Sequence, residues 1–407
     1  VDGSPVQPCI NKSWRYAKDL VGEGTASLTF PLTLFLSYML LGQLACIILC
    51  TCGRFLRRKC WKRPVEQTET AEPLWHEKVK DLASRGITLE ALLGFYRRLG
   101  SEIMPHYKPG AHRTADVVRR AIIPASKVKQ CALATLLMEG KEVYPGKMVT
   151  HNWGNLFRDL VAAVIADALG EPDFRLVAAL LEEDCDALER ALRGAGRWHD
   201  TYWICAFAVN QHAGICGGNP HHDTDPVLCE EHPTCDCSLP KHFNSTPPLT
   251  SSGASVRCEM NKFDDMMRFL AHRDASFAQV VAVDTQFDLF NRAWCVGELA
   301  EAKRMGMQQS LQLRSGDELG AHEGKLRELK VEDMKASRPE DVEEILAKIP
   351  DKAVFNAALQ ALIFDDRIGL LAAWREKDTE AQMVSVGRII RWQVVGGDAI
   401  WRNWASE

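Results

Sequence analysis

The sequence predicts an α/β domain on a parallel sheet with helices on both faces. Three observations predict it. Short apolar runs rich in β-branched and aromatic residues, bounded by polar turns, read as buried strands. The segments between them repeat apolar residues at three-to-four spacing and read as helices. Strand and helix alternate along the chain, which calls for parallel strands covered on both faces.

The chain has 407 residues, a formal net charge of −5 and 14 cysteines. That length accommodates more than one domain. The near-neutral charge gives no electrostatic footprint for nucleic acid, so none is expected as a partner. The cysteines gather mainly around an apolar N-terminal stretch and between Cys216 and Cys258.

Residues 1–25 read as an extracytoplasmic segment. No charged residue occurs between Glu23 and Arg54, and SLTFPLTLFLSYMLLGQLACIILC is long enough to cross a bilayer, so a transmembrane helix is expected over 26–53. Arg54, Arg57, Arg58, Lys59, Lys62 and Arg63 follow it, against Lys12, Arg15 and Lys18 before it. The positive-inside rule then puts the C-terminal domain in the cytoplasm. Cys46, Cys50, Cys52 and Cys60 at that edge can be palmitoylated or simply pack.

A linker is expected over 54–73 and a helical preface over 74–146. In the preface, Gly86 breaks one helix, Thr88 caps the next, and Pro124 ends TADVVRRAIIPAS. The main domain covers 147–364. KMVTHNW (Lys147 to Trp153) is the first strand and its turn, and LFRDLVAAVIADALG is a helix closed by Gly170. FRLVAALLEEDCDALERALRGAG reads as one further helix, and TYWICAFAVN (Thr201 to Asn210) as the second strand. After an insertion over 212–259 come a helix (Met260 to Asp274) and the third strand, QVVAVDT (Gln279 to Thr285). A helix capped by Asn291 and carrying Trp294 and Glu298 follows, then a fourth strand, SLQLR. Helices are expected from Pro339 to Ile349 and Lys352 to Phe364, then a Trp-rich tail over 365–407.

Parallel sheets bind ligands at the carboxyl ends of their strands, where strand order reverses. With flavodoxin-like order the crevice lies between the first and third strands. It would gather His151, Asn152 and Trp153 from one and Asp284 from the other, with Trp294 and Glu298 at the rim. Each has a plainer reading: hydrogen-bonded strand-end histidine, packing tryptophans, and a first-turn acid set against the helix dipole.

The insertion holds Cys216, His221, His222, Cys229, His232, Cys235, Cys237 and His242, with Cys258 beyond. Disulfides are disfavoured in the cytoplasm, and zinc is the natural staple for a long irregular segment. Cys216, Cys235, Cys237 and either Cys258 or a histidine would form a closed structural site. A flexible loop with scattered thiols and a catalytic Cys–His pair are the alternatives.

Three stretches carry a family likeness. HNWGNLFRDLVAAV, YWICAFAVNQH and NRAWCVGEL together resemble Toll/interleukin-1 receptor (TIR) domains and the related heterokaryon-incompatibility-like domains. Cys205 stands where the incompatibility-like element has Asp. The resemblance implies signalling by self-association. Where such domains cleave NAD, the matching glutamate, here Glu298, stabilises the oxocarbenium-like transition state as nicotinamide leaves. It equally admits a non-catalytic interaction module.

Overall fold

The computed structural model describes residues 68–335, 349 and 351–384. The expected membrane span at 26–53, the Pro339 helix over 339–348 and the tail tryptophans Trp392, Trp401 and Trp404 lie outside the described residues. Among the described residues, no helix is long and apolar enough to cross a membrane.

The fold is α/β, with a five-stranded sheet. The strands are β1 (Ile87–Thr88), β2 (Lys147–His151), β3 (Thr201–Ile204), β4 (Ala278–Ala282) and β5 (Gln309–Gln312). Their spatial order is β1-β3-β2-β4-β5. β3, β2, β4 and β5 run parallel, with Val149 opposite both Ile204 and Val280, and Val281 opposite Leu311. β1 pairs antiparallel at the edge, Ile87 opposite Tyr202. This edge strand is too short to leave a periodic signal in the sequence.

Alternation along the strands sorts side chains to two faces. Val149, Ile204 and Val280 pack with α3 (Phe157–Leu169) in one core, joined by α2 (Leu89–Arg98), α4 (Arg175–Glu183) and α5 (Cys185–Gly194). Met148 and Trp203 face α1 (Thr68–Ala83) and α6 (Phe263–Arg273). On that same second face, Val281 and Leu311 meet α7 (Ala293–Arg304), α8 (Gly316–Arg327) and α9 (Lys352–Phe364). The helices thus cover both faces.

Several local expectations need correction. The linker expected to end at residue 73 is helical from Thr68, because Trp75, Val79 and Leu82 bury against α6. The helix from Thr114 passes through Pro124 by way of a π-turn at Val118–Ile122, in which the Ile123 amide reaches back to Val118. The stretch expected as one helix over 174–196 breaks at Asp184, whose carboxylate caps α5 at the Ala187 amide. The second strand stops at Ile204. Residues Cys205–Ala208 form one helical turn that buries Ala206, Phe207 and Ala208, an outcome a continuous apolar run does not distinguish from strand. Arg292, not Asn291, occupies the N-cap of α7. Other boundaries agree: the Thr88 hydroxyl accepts from the Ala91 amide to cap α2, and Gly170 closes α3 at φ 78°.

Candidate functional site

β2 and β4 are neighbours, so the first and third parallel strands meet as the expected crevice requires. At the end of β2, chain alternation turns Thr150 toward α7 and His151 the other way. Glu298, partly buried on α7, accepts a 2.6 Å hydrogen bond from the Thr150 hydroxyl. Thr150 in turn accepts from Gln279 Nε2 at 2.7 Å, and Gln279 Oε1 accepts from Gln309 Nε2 at 2.8 Å. A directed chain of donors therefore crosses β5, β4 and β2 and terminates on one carboxylate. Burial pushes the Glu298 carboxyl up to about 8; the Thr150 hydroxyl opposes the shift and the Asp264 carboxylate adds to it.

The Cys205 and Cys295 thiols lie near enough to Glu298 to feel its charge, and His151 and Trp153 gather at Cys205. His151 Nε2 lies 3.7 Å from Cys205 Sγ, and the Trp153 indole N–H points at the same sulfur at 3.3 Å. The Cys295 thiol donates to the His151 carbonyl at 3.5 Å. Burial pushes His151 down to about 4 and Cys205 up to about 12, the latter with help from the Glu298 charge. Cys295 is raised as well, again by burial. At neutral pH these groups are uncharged, and the thiols are poor nucleophiles. A positive charge brought close to Glu298 would favour its ionisation.

The other expected contact residues have internal tasks. Asp284 accepts from the amides of Gln286, Asp288 and Leu289 at 3.2, 2.9 and 2.7 Å, which folds the loop where Phe287 takes φ 58°. Asn152 Nδ2 reaches Asp284 at 3.4 Å and its oxygen caps the Gly154 amide at 2.9 Å. Trp294 packs against the α7–α8–α9 core. Thr150, Gln279 and Gln309 did not emerge from the sequence; the one available signal was a polar residue at alternate positions in otherwise apolar strands.

A second group forms where the insertion meets the domain. His212, Cys216, Cys235 and Cys237 present ligand atoms within 4.8 Å of one another and could hold a metal ion. Cys216 and Cys237 sulfurs are 3.5 Å apart, and Cys235 Sγ is 3.7 Å from His212 Nδ1. Burial opposes ionisation of Cys237, but the Leu239 amide, the Cys216 thiol and Lys241 outweigh it and hold this thiol below its ordinary value. Cys258 stands apart from the group. It is buried in the turn before α6, where its carbonyl accepts from Lys262 at 2.5 Å and its amide donates to Ser255. His212, the first residue of the insertion and next to the second strand-like run, takes the place open to a histidine.

His106, His112 and Asp225 also converge. Asp225 accepts from His106 at 2.8 Å and from the Val227 and Leu228 amides at 2.9 and 3.0 Å, with Arg120 Nε 3.5 Å away. A guanidinium at that distance opposes a second cation, so this cluster reads as an anchor of the insertion on the preface.

Compared with family models, curated proteins and solved structures, the chain matches none.

Proposed function

We propose that this chain is a membrane-anchored signalling protein whose cytoplasmic domain is TIR-like and flavodoxin-like, and that it cleaves the nicotinamide–ribose bond of NAD when copies self-associate. The observation that carries the reading is Glu298: a partly buried carboxyl raised to about 8 beside the ends of adjacent parallel strands, held by the donor chain through Thr150. The strand order, with first and third parallel strands adjacent, supports the flavodoxin-like assignment. The cationic nicotinamide ring would lower the carboxyl's proton affinity on binding. The resulting carboxylate then stabilises positive charge on the ribose as nicotinamide departs. Zinc is the metal that fits the three-thiolate, one-imidazole group, in a structural role.

A non-catalytic assembly module is the second reading. It is favoured by Asn152 and Asp284, whose polar atoms are engaged with each other and with loop amides.

The full chain, reconstituted in liposomes at increasing surface density, tests both. Nicotinamide release should rise with density, and Glu298→Gln should lower it on the order of 100-fold. Because the reactive form is the carboxylate, kcat/KM should climb with pH and level off above about 8. Folded protein that turns over no NAD at any density would sink the enzyme reading and leave the assembly module.

A further inference from the structure

We infer that His212 is the fourth zinc ligand, through Nδ1, and that Ser126 and Lys241 are the outer partners that make this centre a clamp joining the insertion to the preface and to the exit of β3. The inference rests on the zinc reading above and not on NAD cleavage.

Zinc–sulfur bonds of about 2.3 Å and zinc–nitrogen bonds of about 2.0 Å, set tetrahedrally, place ligand atoms about 3.5–3.8 Å apart. The Cys216–Cys237 and Cys235–His212 separations of 3.5 and 3.7 Å already have that edge length. The tautomer of His212 follows from its other side. The buried Ser126 hydroxyl donates to the Ile122 carbonyl at 2.8 Å, so its oxygen accepts from His212 Nε2–H at 3.0 Å. That leaves the Nδ1 lone pair directed at the sulfurs, the arrangement by which an outer acceptor orients a ligating imidazole.

Charge closes the same way. Three thiolates around a divalent ion leave one net negative charge. Lys241 Nζ sits 3.3 Å from Cys237 Sγ and is itself held by the His212 and Leu239 carbonyls at 2.7 and 3.0 Å. Four protein ligands leave no open position, so the centre is structural rather than catalytic. Its ligands come from the segment leaving β3 and from the middle of the insertion, and the Cys235 amide bonds the Cys216 carbonyl at 2.7 Å. Between Gly214 and Glu259 the chain forms neither α-helix nor named strand, so few backbone ladders hold it otherwise.

Metal analysis of the purified full chain should give one zinc per chain. Cobalt exchanged into the site should show the visible absorption of a tetrahedral ion together with sulfur-to-cobalt charge transfer. Cys258→Ser should leave both unchanged. His212→Cys should keep the ion and raise the charge-transfer intensity by about a third, as three sulfurs become four. Ser126→Ala should weaken zinc affinity by about 10- to 100-fold in the wild-type background and have no effect beside His212→Cys. Absence of bound zinc would overturn the zinc reading and this inference together. Zinc that is lost in Cys258→Ser, or is indifferent to both His212→Cys and Ser126→Ala, would overturn the ligand assignment alone. Neither readout depends on NAD turnover.

Discussion

Replacing Glu298 by Gln isolates the electrostatic cost of placing a carboxyl behind the ends of β2 and β4. The side chain keeps its size and still offers an oxygen to Thr150, but carries no proton to lose. In the unfolded chain Glu298 ionises near 4.5; in the fold it holds its proton to about 8. The sign follows from that order. Below 4.5 the group is protonated in both states and contributes nothing to the difference. From 4.5 upward the unfolded chain releases the proton while the folded chain retains it, so folding is penalised increasingly until about 8, and the penalty is constant beyond. At about 1.4 kcal/mol per pH unit the ceiling is about 5 kcal/mol. Partial exposure of the side chain lets water screen the charge, which brings the expected value to about 2 kcal/mol. Glu298→Gln should therefore match the wild type in urea unfolding at acidic pH and exceed it progressively through the window, reaching about 2 kcal/mol above pH 8. A wild-type-to-variant difference that stays flat across that window would refute the argument, because it would mean the carboxyl titrates alike in both states.

Other perturbations act on packing and on anchors. An added Cβ at Gly86 would lie 2.8 Å from the Val143 carbonyl oxygen and 3.1 Å from Pro145 N, so Gly86→Ala should cost about 1–3 kcal/mol, read as a lowered urea midpoint with unchanged m value. Asp284→Ala removes the acceptor for three loop amides and should destabilise by about 2–4 kcal/mol, with amide exchange quickening first over 284–289. Burial opposes ionisation of Asp225, yet the Leu228 and Val227 amides with His106 and His112 outweigh it and hold the carboxyl well below its ordinary range. Its contribution is present above pH 4 or so and fades only in strong acid; Asp225→Ala should expose the insertion to proteolysis at neutral pH while the β-sheet signal in circular dichroism persists.

The chain's own pattern was enough for the α/β class, the four parallel strands, the α3 stop at Gly170 and the Thr88 cap. Each is encoded locally, in hydrophobic period or in a residue whose side chain bonds its own turn. Strand order is not local, and the sequence carried it only as a condition, that a flavodoxin-like order would set the first and third parallel strands side by side; they are neighbours in the sheet. What tertiary contact alone decided is of another kind. TYWICAFAVN ends as a helical turn because the pairing with β2 runs out at Ile204 and Ala206, Phe207 and Ala208 find a core without it. The two-residue β1 exists only because β3 has a free edge to fill. At the candidate site, Glu298 was visible in sequence, but its proton affinity depends on burial and on Thr150 and Asp264, and Thr150 is itself held by Gln279 and Gln309, groups that meet only through the sheet and the helices packed on it. The metal group shows the same division. Three of its cysteines could be named from composition and compartment, whereas the choice of His212 over Cys258 was made by where the loop leaves β3. Side-chain type travels with the sequence; which donor atoms share one small volume is settled by packing.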